Sequence, residues 1–180
     1  MEDIDWRSKM LNRQEIQKLI EEKQLITDYI KLDIQLTSNG FDLTAASVFE
    51  FVAAGILDFS NNERVIPQVR EILPKKNKSE DKFGWWVLKK GAYKIRTNEI
   101  VNLPKDLVAI SFPRSSLLRM GAFVQNAVWD AGFRGKGEFI LVVQNPKGLR
   151  LKQNARVVQL IFNKISQTNQ SYQGIYQQKP

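Results

Sequence analysis

The chain has 180 residues, with 27 Lys and Arg against 19 Asp and Glu, a formal charge of +8. It contains neither Cys nor His, which excludes a disulfide, a thiolate nucleophile, a Ser-His-Asp triad and a Cys/His zinc site. Chemistry is left to carboxylates, hydroxyls, Arg, Lys, amides and backbone N–H groups, with an oxygen-bound Mg²⁺ as the fitting metal. A hydrophobic fraction of 43% and a charged fraction of 26% are those of an ordinary globular protein, and the length predicts a single domain over 1–180. The basic balance points to polyanionic partners, either nucleic acid or phosphorylated small molecules. No apolar run reaches the length of a membrane span and the start lacks the apolar core of a signal peptide, so a cytoplasmic protein without a membrane partner is expected.

Asn12 followed by Glu15 forms a capping-box pattern, and Ile16, Leu19 and Ile20 repeat at helical spacing. A helix is predicted over about 12–24. The run from Ala45 to Leu57 mixes helix-favouring Ala with strand-favouring Val and Phe; its short span between Gly40 and Gly55 favours a strand after Phe41. Residues 74–82, PKKNKSEDK, read as a solvated charged loop, because no aromatic is interleaved as in a nucleic-acid patch.

From Phe83 onward the chain alternates β-rich runs with Gly, Pro and Asn: FGWWVL, AYKIR, LVAISF, AFVQNAVW, EFILVVQN and LRLKQNARVVQLIF. With no convincing helix between them, these predict a mainly β fold of antiparallel sandwich or barrel type. The polar segment 166–180 reads as a C-terminal arm, frayed or ordered on a ligand or neighbour.

Four segments combine turn formers with groups suited to phosphate chemistry. PRSSL, from Pro113 to Leu117, brings Arg114 with Ser115 and Ser116, and Arg119 follows; a guanidinium grips phosphate and hydroxyls donate to it, though the same residues also make a capped helical turn. WDAGFRG, from Trp129 to Gly135, sets Asp130 beside a glycine turn with Phe133. An Asp there can orient and deprotonate water, and it can equally be a turn residue. NGFDL holds Asp42 after Gly40, and RVVQLIF places Gln159 in an apolar strand, where a buried amide needs a partner.

These segments, in this order, resemble the signature motifs of the trimeric dUTPase and dCTP deaminase superfamily. MLNRQEIQKLIEEKQLI and GWWVLKKGAYKIRTNEIVNLPKDLVA are similar to the deaminase branch, as is the tail YQGIYQ. The resemblance implies a distorted jelly-roll or β-sandwich-like fold assembled as a homotrimer. It maps the water-activating carboxylate onto Asp130, the sugar-packing aromatic onto Phe133, and substrate contacts onto Arg114, Ser115, Ser116, Arg119, Asn126 and Gln159. Asp42 falls on the first-motif carboxylate near a Mg²⁺ and its waters. Two features depart from the family: the Gly121–Asp130 loop is shorter than usual, and the Gly-rich closing motif is missing.

In the deaminase branch a Glu in the strand after the glycine turn is the general base. Its place falls on Ile140 counted forward from Gly135, or on Val142 counted back from Asn145, and neither side chain can move a proton. Glu138 shares their face, but a two-residue shift displaces it by about 6–7 Å. The resemblance therefore implies a Mg²⁺-dependent dUTP diphosphatase giving dUMP and pyrophosphate, with dUTP rather than nucleic acid as partner. A dCTP deaminase or bifunctional enzyme is the first alternative, and a non-catalytic nucleotide-binding regulator the second.

Overall fold

A computed structural model describes residues 9–177. Along them run β1 (Lys9–Met10), α1 (Arg13–Lys23), β2 (Ile26–Thr27), α2 (Leu32–Gln35), β3 (Phe41–Phe51), β4 (Val69–Ile72), β5 (Trp85–Leu88), β6 (Gly91–Asn102), β7 (Leu107–Pro113), α3 (Ser115–Arg119), β8 (Ala122–Gln125), β9 (Arg134–Val143), β10 (Leu149–Lys152) and β11 (Arg156–Lys164). The capping box closes α1 reciprocally: Glu15 N donates to the Asn12 side chain, and Asn12 N donates to the Glu15 carboxylate. The helix buries Ile16 and Ile20 and stops at Gln24, whose φ of 53° is left-handed.

Nine strands join one antiparallel sheet whose main path is β1-β11-β3-β6-β9-β8, with β2 on β6, β4 on β3 and β7 on β11. Long strands change neighbours along their length. In β3, residues 41–44 pair with β11 and residues 45–50 with β6, and the register slips between Ala45 and Ser47. A second slip lies between Arg156 and Val158 of β11. Bulges of this kind bend a strand and raise its twist, so the sheet curls around its core as the jelly-roll expectation requires. That core includes Phe41, Leu43, Val48, Ile95, Leu141, Leu160 and Phe162, together with Ile16 and Ile20 of the helix.

Three sequence expectations need correcting. The run LRLKQNARVVQLIF is two strands, because Asn154 adopts φ 65° and turns the chain between them; β10 then pairs with β5 in a separate sheet. AFVQNAVW keeps only four strand residues, with Trp129 rejoining through an isolated bridge to Ala109. A helix does interrupt the β region, since Ser115–Arg119 form α3.

Candidate active site

β11 lies between β3 and β7, so Gln159 faces Asp42 on one side and Phe112 on the other. This brings three of the four sequence motifs together. Asp42 is 1% exposed, and its Oδ2 accepts from Arg114 Nε at 2.9 Å and from an Arg156 guanidinium nitrogen at 3.1 Å. Burial pushes its carboxyl above the ordinary aspartate range, while Arg114 and Arg156 pull it back. The carboxylate fixes the direction of two guanidiniums. Arg114 N also donates to Val157 O at 3.1 Å.

Ser115 and Ser116 are exposed at the start of α3. Arg119, at its end, donates to Ser115 O at 3.2 Å and is otherwise open to solvent. Gln159 Nε2 donates to Thr37 Oγ1 at 2.7 Å. The preceding turn needs Gly40, because a Cβ there would lie 2.3 Å from Leu160 O. The whole is a basic, hydroxyl-bearing edge suited to phosphate oxygens.

A buried polar network holds β3 behind this edge. Glu99, fully buried, accepts from Gln35 Nε2 at 2.7 Å, Thr44 N at 2.9 Å and Thr44 Oγ1 at 2.6 Å. Gln35 also donates to Asp42 O at 2.9 Å. Burial raises the Glu99 carboxyl above its usual range against the hydrogen bonds from Thr44 and Gln35. Thr97 extends the network by accepting from Gly137 N at 2.8 Å and donating to Glu99 O at 3.0 Å.

The fourth motif builds a different place. Trp129 exchanges backbone hydrogen bonds of 3.0 Å with Ala109 and donates Nε1 to Ser111 Oγ at 3.2 Å. Asp130 then stands exposed among the residues lining a cavity of about 430 Å³, in a turn closed by Phe133 N on Asp130 O. Phe133 packs edge-on against Trp129 at 5.4 Å and against Tyr172 at 5.6 Å. Asn126 also lines the cavity, its side chain donating to Ala127 O at 2.8 Å.

The polar arm folds onto this turn. Tyr172 N donates to Ala131 O at 3.0 Å, while Gln177 accepts from Arg134 N at 3.0 Å and donates to Gly132 O at 2.9 Å. Burial pushes the Tyr172 phenol above its usual range, and the negative charge of Asp130 adds to the shift.

Asp130, Asn126 and Phe133 line the cavity, whereas Asp42, Arg114, Ser115, Ser116, Arg119 and Gln159 do not.

The family described as dCTP deaminase-like matches residues 10–165. The chain belongs to the dCTP deaminase-like family. The "Probable deoxyuridine 5'-triphosphate nucleotidohydrolase" of Archaeoglobus fulgidus is 42% identical over 168 residues, covering 93% of this chain and 95% of that protein. The "Deoxyuridine 5'-triphosphate nucleotidohydrolase" of Methanocaldococcus jannaschii is 32% identical over 142 residues, covering 79% and 86%. The fold is shared with the 2'-deoxycytidine 5'-triphosphate deaminase of Agrobacterium tumefaciens, with a TM-score of 0.62 at 20% identity; the match covers 87% of this chain and 48% of that one.

Reading this dCTP deaminase-like chain by motif leaves out Arg156, the second guanidinium on Asp42, although it opens RVVQLIF. Glu99 had a signal of its own: it shares strand parity with the inward Ile95, Thr97 and Val101, and a carboxylate on a buried face needs a purpose. Among the described residues no three Asp, Glu, His or Cys side chains converge on a metal position. That donor set suits a Mg²⁺ carried by a nucleotide's phosphates and waters, which needs at most one or two carboxylates from the protein.

Proposed function

We propose that this chain hydrolyses dUTP to dUMP and pyrophosphate, as a cytoplasmic single-domain homotrimer whose sites lie between copies. Ile140 carries this reading against the deaminase. It lines the cavity with Asp130 and Phe133, at the forward-counted place of the deaminase carboxylate, and its alkyl side chain cannot take a proton. The relatives that match this chain over most of their length are named for dUTP hydrolysis.

The phosphate-suited edge is not among the residues lining the Asp130 cavity, which supports a site shared between copies, since a closed symmetric ring can bring one edge of a protomer to another's cavity. Phe133 packs the deoxyribose and Asp130 orients a water toward the α-phosphorus, accepting its proton as the new P–O bond forms. Arg114, Ser115, Ser116 and Gln159 of an adjacent copy hold the phosphate oxygens, with Asp42 and Arg156 keeping Arg114 in place. The bond from the α-phosphorus to the bridging oxygen breaks, and pyrophosphate leaves. Mg²⁺ bound to the triphosphate supplies charge neutralisation; Asp42, committed to two guanidiniums, would approach it only through water. Arg119 borders the same phosphate edge, and Asn126 the base end of the cavity.

The test incubates the purified protein with each deoxynucleoside triphosphate and Mg²⁺. Pyrophosphate is expected from dUTP. Ammonia from dCTP without pyrophosphate from dUTP would favour the deaminase, and no turnover with retained nucleotide binding would favour a regulator.

A further inference from the structure

One region of the fold contributes no residue to either part of the proposed site. β5 and β10 form a two-stranded sheet of their own, and none of their residues lines the Asp130 cavity. The charged loop of residues 74–82 is tied to them. Lys75 and Trp85 exchange backbone hydrogen bonds of 2.9 and 2.8 Å, Gln153 N donates to Gly84 O at 3.0 Å, and Arg150 donates to Asn77 Oδ1 at 3.3 Å. Gly148, at φ 82°, lets Leu88 O approach where a Cβ would lie 2.5 Å from it, which sets Lys147 beside the end of β5. Trp86, Leu88, Leu149 and Leu151 are buried in the core. Strand alternation therefore turns Trp85, Val87, Arg150 and Lys152 to the opposite face.

The chain's charge collects in this region. Residues 74–90 and 147–153 hold nine of the 27 Lys and Arg but two of the 19 Asp and Glu, so seven of the eight net positive charges reside there. All nine cations are exposed, and none of the ion pairs among the described residues includes them. The two carboxylates serve their own loop: Asp81 accepts from Asn77 N and Lys78 N, and Glu80 accepts from Ser79 Oγ. Arg150 and Lys152 share one aromatic ring, at 5.0 and 5.2 Å from Trp85, so they stand no more than about a Debye length, ~10 Å, apart. Lys82 lies 5.3 Å from the Phe83 ring. Like charges gathered in this way repel, and a polyanion relieves the repulsion.

As a segment, 74–82 lacks an aromatic; the β5–β10 pairing sets Trp85 among the cations of that loop and of β10. Aromatic rings interleaved with unpaired cations on a strand face suit single-stranded nucleic acid, whose bases stack while its phosphates meet Lys and Arg. A duplex hides the faces of its bases, and this surface carries no helix to enter a major groove. An acidic peptide would answer the charge but not the rings. We propose that the β5–β10 face and the 74–82 loop bind single-stranded nucleic acid, with a base stacked on Trp85 and the flanking phosphates held by Arg150, Lys152 and Lys75. The surface is separate from the dUTP site and does not depend on that reading. DNA and RNA share this chemistry, because nothing in it reads a 2′-hydroxyl.

The experiment measures fluorescence anisotropy of labelled oligo-dT and oligo-U strands, and of a duplex of the same length, from about 50 to 200 mM salt. Binding of either strand supports the proposal, and the tighter one names the source. Engaging about four to six phosphates gives a slope of log K on log salt of about −3 to −4, an affinity loss of about 60–250-fold over that range. Arg150→Gln with Lys152→Gln should make the slope shallower by about 1.4, at roughly 0.7 per phosphate. Trp85→Leu should weaken binding by about 5–150-fold, the worth of one base stack, with the slope unchanged. Trp85→Phe, which keeps a ring face, should retain most of the affinity and replaces the Leu variant if that one melts early. Failure of both strands to bind, a duplex bound as tightly as the strands, or full affinity in a folded Trp85→Leu protein would overturn the proposal. Displacement of the strand by poly-glutamate as readily as by unlabelled oligonucleotide would overturn it too, in favour of an acidic protein partner.

Discussion

Replacing Asp130 by Asn lowers turnover of dUTP by a factor on the order of 10²–10⁴, the usual worth of a positioned general base. The fold should hardly notice. Asp130 is exposed and its backbone oxygen, not its side chain, closes the turn with Phe133 N; Asn suits the same turn conformations. Nucleotide binding should survive as well, because Phe133 and the phosphate-holding groups are untouched. Measuring kcat beside the melting temperature and the affinity for a non-hydrolysable α,β-imido analogue of dUTP checks this. A folded Asp130→Asn protein with the wild-type rate would contradict a catalytic role.

Arg114→Ala should lower kcat/KM for dUTP by about 10²–10³, as loss of one preorganised donor to a charged transition state does. Here stability falls too. Asp42 is buried and would keep only Arg156 of its two guanidiniums, a loss of roughly 1.5–3 kcal/mol for a hydrogen bond to a charged group. Kinetics and urea unfolding on the same preparation separate the two effects. Loss of stability with an unchanged kcat/KM would make Arg114 a structural partner of Asp42 and remove it from the phosphate site.

The contrast between these residues reflects what a linear reading can reach. The capping box at Asn12 and Glu15, the strand after Phe41 and the glycine turn around Asp130 are local patterns, and local geometry makes them legible. Arg156, Trp85 and Glu99 owe their significance to strands far apart in the chain. Trp85 stands opposite Lys152 only through the β5–β10 pairing, a long-range register that alternating hydrophobicity does not announce. Likewise, LRLKQNARVVQLIF reads as one strand until the left-handed Asn154 divides it between two sheets. Motif order brought out Asp42, Arg114 and Gln159, but not that the Asp130 cavity is lined without them, since that belongs to the tertiary arrangement.

A mixing experiment addresses that arrangement and the proposed chemistry together. Asp130→Asn and Arg114→Ala proteins, each nearly inactive alone, are unfolded, combined in equal amounts and refolded, and dUTP hydrolysis is measured. If each site takes Asp130 from one copy and Arg114 from another, random trimers rebuild an intact pair at about a quarter of their sites, as cyclic symmetry dictates. Activity should therefore return to a substantial fraction of wild type. A mixture no more active than its components, in trimers shown to contain both chains, would contradict a site divided between copies.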